Sequence, residues 1–494
     1  MNMIRSLLQF DANTFRQALI NLPPTQAKET LDAPQLSEIY VPPKHGKALS
    51  PEYNIVVGMR GAGKSFWTAV LNDEKTHRFV ADAARVQGLA NIVVRVGFGL
   101  DPSDKDFPNR ASIESLLSRN YRPDAIWQAV LLRHALIYLN RDLPFNTGWE
   151  AAVSWVETHS GEVDKYLAEC DQALQEQGKV LLLFDSLDRL ADDWKKIRGI
   201  LSAALKLCLE CRSRRAIRFK FFLRPDMVEE NDDIWSFADS SKLLHAKPEL
   251  EWRPNDLYGV IFLHLANSVI VGEEFRNILS QKTSVQWQIM DGAYLFPRNI
   301  DEELIRGIVE AITGPWMGAS AKKGYTYTWI PVHLSDAKRR LSPRSILLAF
   351  KEAAEWTDAN RPNHNLALHY EGVQQGVVKA SEIRVRELKE DYPWVEPLLR
   401  ALKGSAVPLT FDELREKWTE ACVQESLDAA STNQRLPPRR YSNDPSPGRK
   451  LDSLVDDLVE LAVLYRTEDK RYNMPDIFRV GFGIKRKGGV RPPR

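Results

Sequence analysis

The chain has 494 residues with 44% hydrophobic content, enough for roughly two to four domains with real cores, which sets intrinsic disorder aside. Its formal net charge is +1, from 67 Lys+Arg against 66 Asp+Glu, so any nucleic-acid contact would need a local patch. The four cysteines (Cys170, Cys208, Cys211, Cys422) lack framework spacing, Asp11 interrupts the N-terminus before an apolar core develops, and no run of about 18 apolar residues occurs. Together these predict a cytoplasmic protein with no signal peptide and no membrane span.

Residues 1–50 carry Pro23, Pro24, Pro34, Pro42 and Pro43 and read as a lead-in or strap. From residue 51 to 254 the pattern alternates. Candidate buried strands lie at Asn54–Val57, Asn91–Val96, Val180–Phe184, Ile217–Leu223 and Lys242–His245, with helical spacing at Phe66–Leu71, Ala125–Leu139 and Trp194–Leu209. Strands alternating with helices predict an α/β class with a parallel, doubly wound, five-stranded sheet. Residues 255–380 turn helical, at Leu257–Val269, Glu302–Ile312 and Arg344–Glu355. Residues 381–494 hold helices at Glu396–Leu402 and Phe411–Gln424, a basic, proline-rich break from Gln434 to Lys450, and a helix at Leu451–Ala462. A hairpin then follows, with arms Val463–Arg466 and Arg471–Met474 around the turn Glu468–Lys470. Helix followed by hairpin predicts a winged-helix module.

Gly58-Met-Arg-Gly-Ala-Gly-Lys-Ser65 fits G-x4-G-K-[ST] in full and stands between a predicted strand and a predicted helix. Gly58, Gly61 and Gly63, with Ala62 among them, let backbone N–H groups turn inward at the positive end of the following helix, where phosphate oxygens are stabilised. Lys64 would reach the β- and γ-phosphates, the Ser65 hydroxyl would take one Mg²⁺ position, and Phe66 begins the helix beside the nucleotide. Arg60 reads either as a nucleotide or partner contact or as a solvated loop arginine.

Val180–Phe184 ends at Asp185, as expected where a buried strand delivers a carboxylate to a metal at the sheet's C-terminal edge. Asp188, three residues on, can accept the proton of an attacking water; the competing reading is a helix N-cap. Cys208-x-x-Cys211 lacks a second ligand pair and reads as two buried thiols. The histidines show no metal spacing.

Phe184-Asp-Ser-Leu-Asp-Arg-Leu190 resembles the extended Walker B of NACHT and KAP ATPases in the STAND branch of AAA+-like P-loop NTPases, where the second acid follows at three residues. The resemblance covers about residues 50–355. It implies a P-loop ATPase core at 51–254, a helical lid at 255–380 and a winged helix with a basic tail at 381–494. ATP and Mg²⁺ are the cofactors it implies. Arg224, closing the strand Phe219–Leu223, matches the sensor 1 arginine of that branch, with a surface arginine as the alternative. Arg344, in Leu341-Ser-Pro-Arg-Ser345, resembles a sensor 2 arginine, with a helix-end salt bridge as the alternative; Ser342 would cap its helix and Pro343 would fill the first turn. Pro225 to Ser241 contains no arginine, which departs from the finger of ring-forming motors; Arg212, Arg214 and Arg215 could serve in trans. What the resemblance implies is a slow ATP-hydrolysing switch, homo-oligomeric or acting on an effector protein, of a kind found in anti-phage defence. Two other readings stay open. One is a DNA-binding ATPase using the basic residues Arg471, Arg479, Lys485, Arg486, Lys487, Arg491 and Arg494, and the other is a nucleotide-stabilised scaffold without turnover.

Overall fold

The structure is a computed structural model that describes residues 8–23, 32–100, 104–146, 148–191, 193–228, 233–297, 300–430 and 437–488. Two compact units form, Ala27–Glu251 and Met1–Gln26 with Trp252–Arg494. The lead-in therefore divides between them.

In the Ala27–Glu251 unit, β1 (Ile55–Val57), β2 (Ile92–Phe98), β3 (Lys179–Phe184) and β4 (Ile217–Leu223) make one parallel sheet in the order β1-β4-β3-β2. Leu181, Leu182, Leu183 and Phe184 are all fully buried. Because successive side chains point to opposite faces, both faces of β3 are covered, as its unbroken apolar run predicts. Cover comes in part from α1 (Lys64–Asn72), which packs on β2, and from α2 (Pro123–Tyr138), which packs on β2 and on α3 (Trp194–Glu210). Trp127 of α2 donates its indole N–H to Ile200 O of α3 at 2.9 Å and meets Phe184 edge-on at 5.4 Å.

The expected fifth strand is corrected. Residues 242–245 fall largely on the short helix Ser241–Leu244, since an apolar run this brief does not distinguish strand from helix. The fifth position in the sheet belongs to residues 248–250, which pair with the outer edge of β1 through a parallel bridge between Val57 and Glu249. There Val57 N–H donates to Pro248 O at 2.9 Å and Leu250 N–H to Val57 O at 2.7 Å. Pro248 offers only a carbonyl, which an edge tolerates.

Between β2 and β3 the described residues form four helices, Arg110–Ser118, α2, Trp149–Thr158 and Ser160–Gln177, of which the apolar periodicity marks only α2. Asp171 of the last closes the entry to β4, accepting the backbone N–H groups of Arg215 at 3.0 Å and Ala216 at 2.8 Å. The chain leaves β1 for β2, across β4 and β3, and leaves β4 for residues 248–250 on the opposite side. The C-terminal ends of β1 and β4 are thus the point where connections diverge, the crevice in which open α/β sheets bind ligands.

In the other unit the helical expectations hold, at Pro254–Ala266, Glu302–Thr313 and α4 (Pro343–Asn360). Ser342 takes the N-cap position of α4 without a side-chain capping bond, and Pro343 opens the helix. The helix Ala12–Ile20 joins this unit, with Phe15 and Leu19 wholly buried and Arg16 donating to Ala367 O at 3.0 Å. A helix of 22 residues, α5 (Tyr370–Asp391), runs through the boundary expected at 380/381. It lies so close to α4 that a Cβ on Gly376 would sit 2.1 Å from Ala349 O.

The C-terminal segment contains Val395–Arg400, Phe411–Glu420, α6 (Lys450–Glu460) and the antiparallel pair β5 (Tyr465–Arg466) and β6 (Tyr472–Asn473). The helix expected at 411–424 breaks at Cys422, whose φ is 48°. Helix followed by hairpin stands as expected, and Leu409 adds a further antiparallel bridge to Tyr472. Among the described residues no helix is long and apolar enough to cross a membrane.

Candidate functional site

The sheet continues one residue past β1, where Gly58 N–H donates to Leu223 O at 3.0 Å. The loop then turns into α1 through Gly61 (φ 81°) and Gly63 (φ 101°), left-handed positions that a side chain would strain. Gly63 occupies the N-cap of α1 and makes no side-chain capping bond, so the positive end of this helix faces the loop without a capping side chain. Gly58 and Ala62 are buried, Arg60, Lys64 and Phe66 half-buried, and Ser65 exposed. The Lys64 ammonium folds back over the loop, donating to Gly58 O at 2.8 Å and Met59 O at 3.2 Å.

Asp185 ends β3 almost wholly buried. Burial pushes its carboxyl above the usual carboxylate range and the charge of Asp188 adds to the rise, whereas the Ser65 hydroxyl and the Lys64 ammonium act the other way. The four side chains therefore form one electrostatic cluster. Oδ2 accepts the Ser186 hydroxyl at 3.3 Å, but Oδ1 is buried with no hydrogen-bond partner. An orphaned carboxylate oxygen is costly in a low-dielectric site, and a cation resolves it. The donors present, one carboxylate and one hydroxyl, suit Mg²⁺, which takes few protein ligands and completes its shell with water and phosphate oxygens. Among the described residues no group of three or more His, Cys, Asp or Glu is placed to hold a metal by itself.

Ser186, in the left-handed region at φ 56°, turns the chain sharply into the 3-10 helix Leu187–Arg189, which carries Asp188. The N-cap alternative for Asp188 falls away. The cap of α3 is Asp193, which accepts Lys196 N–H at 2.9 Å. Asp188 instead faces Arg224, with Oδ2 3.4 Å from Nη1. Arg224 closes β4, the strand between β1 and β3, and is 6% exposed, so it is not a surface arginine. Its Nε donates to Asp226 at 3.2 Å. Asp226 escapes a reading of the sequence, although an acid two residues beyond a strand-end arginine is a signal that could have found it.

Other expected residues lie elsewhere. Arg212, Arg214 and Arg215 precede β4, at the N-terminal edge of the sheet, opposite the loop; Arg214 lies 4.0 Å from Asp164. Arg344 belongs to the other unit, where its guanidinium pairs with Glu387, which Arg384 also holds at 3.2 Å. Cys208 and Cys211 are buried, and burial pushes both thiols up. The basic tail is largely spoken for: Asp476 accepts Arg479 and Arg486 at 2.6 Å each, Asp469 accepts Arg471, and Lys487 lies 3.6 Å from Glu413. Arg491 and Arg494 lie outside the described residues. The side of α6 away from its buried residues presents Asp452 and Asp456.

No family model matches the chain, and no curated protein does. Three solved structures align over nearly its whole length. The Walker-type ATPase PABY2304 of Pyrococcus abyssi is 12% identical, covering 94% of this chain and 98% of that one at a TM-score of 0.38. The ORC2 protein of Aeropyrum pernix is 14% identical, covering 93% of each chain at 0.27. Cdc6p from Pyrobaculum aerophilum is 13% identical, covering 94% of each at 0.29. Likeness this loose assigns no role to any residue.

Proposed function

We propose that the chain is a P-loop ATPase that binds ATP with Mg²⁺ and hydrolyses it slowly, serving as a switch for its own assembly or for a partner protein. One observation carries the reading. Lys64, Ser65, Asp185, Asp188 and Arg224 come from three separate strand ends and converge at the point where the sheet's connections diverge.

The backbone N–H groups at the start of α1 would hold the β-phosphate, and Lys64 would exchange its two carbonyl partners for phosphate oxygens. Ser65 and Asp185 would hold Mg²⁺, which supplies charge neutralisation to the phosphates when bound. Asp188 would take the proton of the attacking water, and Arg224 would meet the charge of the γ-phosphate. Arg344 has the second sensing role in this reading, with Glu387 as its competing partner. The STAND-like character rests on the second acid at three residues and on the lack of arginine from Pro225 to Ser241; a defence role rests on that resemblance alone. A winged helix is proposed for the segment 381–494 from the order of helix α6 and the hairpin β5–β6 within it. Against DNA binding stand Asp452 and Asp456 on the exposed side of α6 and the internal acidic partners of Arg471, Arg479, Arg486 and Lys487.

The test is phosphate release from ATP with and without Mg²⁺, alongside mass measured with and without a non-hydrolysable ATP analogue. Turnover that needs Mg²⁺, with a mass that changes on analogue binding, supports the switch. No turnover with nucleotide bound would leave the scaffold reading.

A further inference from the structure

Two acidic residues on two different segments hold Arg224 among its partners. Its Nε donates to Asp226 at 3.2 Å, two residues on in its own segment, and its Nη1 lies 3.4 Å from Asp188, on the turn after β3. The two contacts differ in kind. Asp226 holds the stem side of the guanidinium within one short 3-10 turn, Pro225–Met227, whereas Asp188 holds an outer nitrogen at the limit of hydrogen-bonding distance. Arg224 also closes the strand that stands between the phosphate-loop strand and the Asp185 strand. An anion at the N-terminus of α1 would compete with Asp188 for this cation.

We propose that Arg224 is a latch on Asp188, anchored by Asp226, and that the γ-phosphate opens it. This rests on the function proposed above. With Asp188 engaged, its Oδ2 is held toward the guanidinium and away from the pose in which it would accept from the attacking water. When the γ-phosphate draws the outer nitrogens of Arg224 away, Asp188 becomes the acceptor for the proton of that water. The water oxygen then bonds to the γ-phosphorus as the bond from that phosphorus to the β,γ-bridging oxygen breaks. The proton resides on Asp188 and the leaving electron pair on the diphosphate. Asp226 is a positioning residue: it keeps the guanidinium at the junction whichever partner the outer nitrogens have.

Competition predicts a reciprocal effect on binding. Asp188→Asn, which keeps shape and removes the competing charge, should tighten a non-hydrolysable ATP analogue relative to ADP by at least about five-fold, the lower end of typical coupling. Arg224→Lys should abolish that gain when combined with Asp188→Asn, because an ammonium lacks the fork that reaches both partners. Asp226→Asn should keep ADP affinity, lose preference for the analogue and lower kcat. Titrations of the full chain with both nucleotides read all three, and thermal melting confirms folding. An analogue-to-ADP ratio unchanged in folded Asp188→Asn overturns the latch while nucleotide binding by the wild type stands. If the wild type binds neither nucleotide, the proposed function falls and takes the latch with it.

Discussion

The ammonium of Lys220 lies 2.7 Å from the carbonyl oxygen of Ala48, tying the middle of β4 to the segment that precedes β1. Ser50 O and Tyr53 O, each at 2.9 Å, complete its shell. An ammonium has three protons and meets three acceptors, which is why a lysine can be fully buried in a central strand.

Burial lowers the Lys220 pKa to about 7, with Glu52 acting upward. The folded state therefore releases this proton well below the unfolded value, and between about pH 7 and 10 the unfolded chain binds more protons. Stability should rise with pH across that window, by up to about 1.4 kcal/mol per unit. Lys220→Met, which does not titrate, should lack the rise and lose about 2–4 kcal/mol from three abandoned carbonyls. Melting curves of both proteins at pH 7, 8 and 9 measure the difference; parallel curves would refute it.

Lys64→Ala should weaken ATP and ADP at least about 100-fold, the loss of charge-assisted contacts to phosphate. Asp188→Asn should retain both nucleotides yet lower kcat by about 10²- to 10⁴-fold. Calorimetric binding and phosphate release separate the two; hydrolysis intact in Asp188→Asn would remove the base assignment and leave the loop standing.

Arg344→Ala and Glu387→Gln both break the same ion pair, so both should lower the melting temperature. Only Arg344→Ala should also reduce kcat/KM if the arginine senses nucleotide. Equal kinetics in the two variants would make Arg344 a structural cation.

Duplex DNA should bind weakly and with a shallow salt response, a slope of about 2 or less, since Arg440 and Lys450 beside α6 pair with Glu460 and Asp428 and four of the tail's basic residues have acidic partners. Anisotropy titrations between 50 and 200 mM salt, a range chosen for its roughly known steepness, would expose a steep slope if the DNA reading were right after all.

Gly376→Ala should cost about 2 kcal/mol or more, because the new methyl meets a backbone carbonyl of α4 and not a flexible side chain. A melting temperature equal to wild type would show that the two helices can part.

The glycine loop between β1 and α1 and the buried strand end at Asp185 were legible because both are local: one motif and one apolar run. Four strands were readable for the same reason, as continuous apolar runs. Residues 248–250 were not, since Pro248-Glu-Leu carries no strand pattern and pairs through its backbone alone. Asp226 and Lys220 were missed because their roles depend on partners brought from other segments. The alternatives for Asp188 and Arg224 were separable only in three dimensions, where the two side chains meet. Arg344 shows the reverse, a residue picked by resemblance whose visible engagement is with Glu387.

The long helix α5 bears on how the protein can be cut. At about 1.5 Å per residue it is a rod of roughly 33 Å, and Ser381 lies inside it with its hydroxyl 2.9 Å from Ile477 O and accepting Gly481 N–H at 2.8 Å. A fragment beginning at 381 would sever the rod mid-span and remove Gly372 and Gly376 from their seat on α4. The C-terminal segment is thus an outgrowth of one shaft and not a bead on a string, and fragments meant to isolate it should start before Pro343, so that α4 and α5 stay together.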